Sequence, residues 1–475
     1  MLRRVSRRLF LLILALTAVP HTFAAATLPR IRVAPDNHGF VTESGQTFHP
    51  IGVTYYRPGT GWAPQLWKQF DAEATRADFA RLHEMGGNCV RVFLTYGSFC
   101  SEPGKLDESA VRKLDQFLDL AEANGLYVHP TGPDHWEGLP DWAKTDRITD
   151  EKMLRGLEDF WRLLAGHLRG RTVIFAYDLL NEPEVPWDSP SLRSKWNQWL
   201  TVRYRDHASL TNAWKRSDVP VLGEVGAPPK EDAELDPRLL DYQHLREATA
   251  VEWTRRQAVA IRAADPQALV TAGFIQWAVP AVLAHVGHYA AFRPEQHAPY
   301  LDFMTFHFYP LENGPLLYDR PEAEGRNLAY LECLTREFAR LGKPVIIGEF
   351  GWHGGGKPKA FKDAPVGTEE DQARWCRQVV ERTRGPVCGW LNWGFRDQPE
   401  AADVSEFTGL LTAGGKEKAW GREFRRLARD LVQNPDAKSV PPGPRPALEW
   451  DRLITSRRVA DAFRAEYIKA YLRSP

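Results

Sequence analysis

Two glutamates stand where a carboxylate is hard to keep. Glu182 ends the run Val173-Ile174-Phe175-Ala176-Tyr177-Asp178-Leu179-Leu180-Asn181-Glu182-Pro183, and Glu349 lies near the end of Pro344-Val345-Ile346-Ile347-Gly348-Glu349-Phe350-Gly351-Trp352. Both runs read as buried strands, and a carboxylate at the end of such a strand is desolvated and costly without partners or a task. Two strands opening on one barrel mouth can bring their carboxylates to about 5 Å, where one attacks an anomeric carbon while the other manages the leaving oxygen's proton. That chemistry needs one carboxyl protonated, with a raised pKa, and the other ionised. The alternative is two unrelated carboxylates capping neighbouring helices, but each stands at the carboxyl end of its strand.

Positioning such a pair calls for a repeated scaffold. Short apolar runs begin near His49, Asn88, Leu126, Val173, Ala268, Asp302, Val345 and Cys388, mostly followed by a polar loop and an amphipathic stretch. Helices are expected at Ala72–Met85, Ser109–Ala123, Asp150–Arg169, Ala323–Leu341, Glu369–Thr383 and Ala419–Val432, with a weaker one around Val282–Ala291. This grammar predicts an α/β protein, a (β/α)8 TIM barrel over residues 27–432, entered through an N-terminal β-hairpin and a first buried strand, Pro50 to Tyr55. A doubly wound sheet is the alternative, but no G-x-G-x-x-G turn follows any strand. The one oversized gap places an insertion at about 187–249, after strand four. Residues 433–475 read as a Pro-rich linker, Pro435–Pro446, and a C-terminal helix, Ile454–Leu472.

With these motifs in order over residues ~30 to 430, the chain resembles the two-glutamate clan of retaining glycoside hydrolases (clan A), and most of all the cellulase family, glycoside hydrolase family 5. The resemblance implies that Glu182, in Asn-Glu-Pro, is the acid/base and Glu349 the nucleophile. It also implies that Asn181 bonds the sugar 2-hydroxyl, that His307 contacts substrate, and that Tyr309 touches the nucleophile. Period two in Phe306-His307-Phe308-Tyr309 independently puts those last two on one face. Arg91, in Asn88-Cys89-Val90-Arg91, matches the family's strand-two arginine, and a guanidinium beside Glu349 would keep it ionised; a structural ion pair is the other reading. Trp393 matches the floor under the cleaved sugar, and Trp390 reads as core.

Strand three departs from the family pattern. It runs Tyr127-Val128-His129-Pro130-Thr131-Gly132-Pro133-Asp134-His135-Trp136, and either histidine could supply the family's contact. His135 is the choice, because His129 falls early enough to point into the barrel. The insertion, with Trp196, Trp199, Tyr204 and Leu210-Thr211-Asn212-Ala213-Trp214, resembles a segment of the β-galactosidases of family 42 of the same clan.

The expected function is therefore a retaining β-glycosidase acting on β-linked oligo- or polysaccharides of glucan or mannan type. An exo-acting, β-galactosidase-like enzyme is the alternative, and a non-catalytic carbohydrate-binding barrel is a remote one. The 17 tryptophans suit a ligand with C–H faces. Neither cofactor nor metal is called for: the histidines show no HxH or HExxH spacing, and the two-glutamate mechanism needs no ion. Sixty-one basic residues balance sixty-one acidic ones, with no basic stripe for nucleic acid. Five widely spaced cysteines suggest buried thiols rather than a disulfide scaffold. Residues 1–26, with Arg3, Arg4, Arg7 and Arg8 ahead of Leu9–Val19 and Ala24-Ala25-Ala26, read as a signal peptide too short to span a bilayer. Ser6-Arg7-Arg8-Leu9-Phe10-Leu11 resembles a twin-arginine export signal, which implies a bacterial periplasmic or extracellular protein. No membrane span is expected in the mature chain.

Overall fold

In a computed structural model, the described residues are 27–60, 65–312, 314–316, 318, 320–435 and 443–474. The expected signal peptide and the middle of the Pro-rich linker lie outside them. The chain opens with β1 (Ile31–Val33), β2 (Phe40–Thr42) and β3 (Thr47–Phe48), a small antiparallel sheet in the order β1-β2-β3. Eight parallel strands follow: β4 (Ile51–Thr54), β5 (Cys89–Thr95), β6 (Tyr127–Asp134), β7 (Tyr177–Asn181), β8 (Val270–Phe274), β9 (Met304–Phe308), β10 (Val345–Phe350) and β11 (Gly389–Trp393). They pair in sequence order and β11 closes onto β4, completing the barrel.

The strands are buried along their length and mostly apolar because they are covered on both sides, by the interior and by the helix layer. Helices are started by short polar side chains that accept orphan backbone N–H groups: Asp71, Asp107 and Asp150 do so, and Thr368 with Asp371 forms a reciprocal pair. The N-terminal sheet plugs the floor of the barrel, where Phe40 meets Phe175 and Phe303 edge-on at 5.0 and 5.1 Å and Phe48 meets Tyr127 at 4.9 Å. It holds three strands where the sequence suggested a hairpin.

Three expectations need correction. The fourth barrel strand begins at Tyr177, because Val173–Ala176 only bridges Val128 before Phe175 turns into the floor. After β8 there is no helix over Val282–Ala291, only a single turn at Val286–His288; Gly287 lies inside that stretch and Pro280 and Pro294 bound it. The long helix Pro237–Ala264 starts inside the segment read as insertion and packs on Glu151–Leu168 as an ordinary barrel helix. What precedes it is a helical subdomain, Pro190–Tyr204 and His207–Trp214, with its own aromatic core: Trp196 stacks on Trp199 at 5.7 Å and on Trp214 at 6.0 Å. Trp196 and Trp214 are buried, so they hold the subdomain together and present no face to a ligand.

All five cysteines are buried thiols. The C-terminal helix Arg457–Arg473 packs back on the barrel, and among the described residues no helix is long and apolar enough to cross a membrane.

Candidate active site

Arg91 lies fully buried in the barrel and organises its carboxyl end. Its Nε and Nη2 donate to Asp178 Oδ2 at 3.3 and 3.1 Å, Nη2 also donates to Asn181 Oδ1 at 2.7 Å, and Nη1 donates to Glu349 Oε2 at 3.0 Å. Phe93 lies under the guanidinium at 4.9 Å. Asp178 in turn accepts from Thr131 Oγ1 and from the Gly273 N–H, at 2.8 and 2.7 Å. A buried guanidinium with this many acceptors ties together three strands that are not adjacent in the barrel, β5, β7 and β10.

Glu349, on β10, also accepts from the Tyr309 hydroxyl at 2.6 Å. Glu182 follows β7 immediately, with φ +47°, a left-handed conformation uncommon outside glycine. Its backbone N–H donates to Gly273 O at 2.9 Å, which pins the turn. His307 Nδ1 sits between the two carboxyls, 3.0 Å from Glu182 Oε1 and 3.7 Å from Glu349 Oε2, and ligand atoms of all three residues lie within 4.8 Å of one another.

Burial raises the Glu182 carboxyl to about 7, with Arg91 opposing and Asp134 adding to the shift. Burial also raises Glu349, but Arg91 and the Tyr309 hydroxyl pull it back. His307 is held down near 4 by burial, so at neutral pH it is an uncharged partner and the cation beside Glu349 is Arg91. Arg91 and the Tyr309 hydroxyl bond Glu349, and neither bonds Glu182. Two carboxyls this close, in such different surroundings, are what a double displacement requires.

Trp393 stands at the edge of the same mouth, 5.1 Å from Tyr56 and 5.9 Å from Phe93, with its Nε1–H on Ser405 Oγ at 2.7 Å. Trp390 is core, donating to Thr383 Oγ1 at 2.9 Å. His129 is buried below, with Nδ1 2.7 Å from Ala176 O, whereas His135 is half exposed and stacks on Trp136 at 4.8 Å. No hydrogen bond joins His135 to either glutamate among the described residues; its tie is to Asp134 at 2.6 Å. The structure thus brings Arg91, Asn181, Glu182, His307, Tyr309 and Glu349 into one bonded network, leaves Trp393 on its rim, and sets His135 apart on the loop after β6. Sequence reading gave Asp178 no role, though a lone acid within an apolar strand was its signal. Tyr56 and Glu184 carried none.

A closed eight-stranded (β/α)8 barrel with two glutamates at its carboxyl end defines a glycoside hydrolase, acting on carbohydrate. The family description "Cellulase (glycosyl hydrolase family 5)" matches residues 41–396, and the chain belongs to that family. Among curated proteins, none matches by sequence. Similar solved structures include GH5_18 from Streptomyces cattleya in complex with GlcNAc, at 19% identity and TM-score 0.64, covering 90% of this chain and 91% of that one. The exo-beta-1,4-mannosidase Op5Man5 from Opitutaceae bacterium strain TAV5 is 20% identical at TM-score 0.61, over 86% of this chain and 63% of that longer one. A beta-galactosidase from Halorubrum lacusprofundi is 18% identical at TM-score 0.63, over 82% of this chain and 59% of its own.

Proposed function

We propose that the chain is an exported retaining β-glycosidase that cleaves short β-linked oligosaccharides of mannan or glucan type from one end. Glu349 attacks the anomeric carbon while Glu182 protonates the departing oxygen; Glu182 then deprotonates the water that releases the sugar from Glu349. Asn181 bonds the 2-hydroxyl, Trp393 floors the reacting sugar, and Arg91 and Tyr309 hold Glu349 as an anion. The observation that carries this reading is the close carboxyl pair, of which Glu349 alone is bonded by Arg91 and the Tyr309 hydroxyl. Short mannosides are favoured because one similar structure is named an exo-beta-1,4-mannosidase and another, from Streptomyces cattleya, holds Manb1-4GlcNAc. The β-galactosidase reading draws on the Trp196–Trp214 segment and on structures of that name. Export rests on the arginine-rich leader alone.

A panel of aryl β-mannosides, β-glucosides and β-galactosides selects the sugar. With the best substrate, Glu349→Ala should lose roughly four or more powers of ten in turnover, while Glu182→Ala should retain activity on leaving groups that need no protonation. An inverted first product seen by NMR, or near-normal turnover by Glu349→Ala, overturns the assignment.

A further inference from the structure

Beyond Glu182, on the side where the insertion leaves the barrel, a pocket of about 350 Å³ opens whose wall includes Glu182, Arg147, Trp187, Lys230, Arg246 and His285. The Trp187 ring is flanked by two cations, Arg246 Cζ at 5.2 Å and Lys230 Nζ at 6.0 Å. Arg246 is 1% exposed and donates only to neutral oxygens: Gln243 Oε1, Val185 O and Tyr289 O. Among the described residues, Arg246 bonds no carboxylate, and Glu184 and Glu247 attract it only from longer range. A buried guanidinium with no carboxylate bonded to it is costly, and a ligand can supply that anion.

The acids in this wall have bonding partners other than Arg246 and Lys230. Asp146 Oδ1 is taken up by the Ile148 and Thr149 N–H groups and the Thr149 hydroxyl. The Glu182 carboxyl is raised by burial to about 7, and Glu184 accepts from Trp277 Nε1 with its carboxyl raised by burial. His285 is lowered by burial and then by Lys230, Arg246 and Arg457, as a positive field requires. Gly287 lets the wall converge: a Cβ there would lie 3.0 Å from Lys230 Cδ, 3.0 Å from Trp187 Cε3 and 3.2 Å from His285 Nδ1.

We infer that this pocket is a leaving-group subsite for an acidic sugar or aglycone, one bearing a carboxylate or a phosphate, with Trp187 against its apolar face and Lys230 and Arg246 around its charge; Arg147, also in the wall, already faces Asp134 at 3.8 Å. The inference rests on Glu182 being the acid/base, which places the leaving group here.

The test uses three aryl β-glycosides of the preferred sugar, with 4-carboxyphenyl, 4-phosphonophenyl and uncharged 4-carbamoylphenyl leaving groups. At least one anionic substrate should exceed the amide by about tenfold or more in kcat/KM, the ratio one charge-assisted hydrogen bond carries. The arm with the larger ratio distinguishes carboxylate from phosphate. Lys230→Met should cut that ratio several-fold and Lys230→Arg should restore it. Equal cleavage of all three, or a ratio indifferent to Lys230→Met, overturns the subsite while leaving the glycosidase reading intact. If no aryl β-glycoside of any sugar is cleaved, the glycosidase reading falls and the subsite falls with it.

Discussion

Burial alone would raise both glutamates; what separates them is their neighbours. Glu349 faces Arg91 Nη1 and the Tyr309 hydroxyl, while Glu182 has the uncharged His307 and the carboxylate Asp134 near it. The proposed mechanism needs Glu182 protonated and Glu349 ionised, so kcat/KM should fall above about pH 7 and fall again at low pH, with limits that belong to the pair. Tyr309→Phe removes a donor that favours the Glu349 anion. Its pKa then rises, the acid limb moves to higher pH, and the bell narrows from that side. At pH 6, kcat/KM should drop roughly tenfold or more, the scale of a hydrogen bond to a charged group. An acid limb unmoved in Tyr309→Phe would show that Glu349 does not set it.

Strands β8 and β9 carry a finer requirement. Gly273 on β8 faces His307 so closely that a Cβ would sit 2.8 Å from His307 Nε2 and 3.2 Å from Asp178 Oδ2. The glycine is there for space, and both side chains it admits belong to the site. Gly273→Ala should displace the imidazole from Glu182 and lower kcat by at least about tenfold, since small misplacements at a reacting centre are expensive. The barrel should persist, which circular dichroism would report. Unchanged kcat in a folded Gly273→Ala would mean that His307's position is not critical.

The C-terminal extension ties distant parts of the molecule together. Asp232, before the long helix, accepts from the Arg457 and Arg458 N–H groups, and Arg445 pairs with Glu332 at 2.6 Å. Arg464 pairs at 3.1 Å with Glu312, whose fully buried carboxyl sits on the loop after β9. Removing one partner of a buried pair leaves an uncompensated charge, so Arg464→Met should cost up to about 3 kcal/mol at pH 8. Without the cation the Glu312 carboxyl, already raised by burial, rises further; the cost should therefore shrink as pH falls and the carboxyl protonates. Adding Glu312→Gln should recover most of the loss in chemical denaturation. Equal destabilisation at pH 5 and pH 8 would rule out the buried charge as its source.

The two glutamates that the fold brings together, their strands and the barrel were legible in the sequence because they are local: apolar runs of strand length, polar punctuation and a glutamate at each end survive in one dimension. That Arg91 and Tyr309 meet Glu349 was implied by the family resemblance, whereas the bonds of Arg91 to Asn181 and of His307 to Glu182 appear only in the fold. Asp178 was missed because nothing along the chain says that Arg91 needs a second anion; that demand appears only when strands β5 and β7 are neighbours across β6. The insertion's tryptophans were open to two roles, since an aromatic side chain reads alike as sugar platform or as core. Mutual stacking of Trp196, Trp199 and Trp214 decided it. Which charges and donors reach each glutamate was likewise decided in three dimensions, because those that set a carboxyl's pKa through a low-dielectric interior arrive from strands up to 258 positions away.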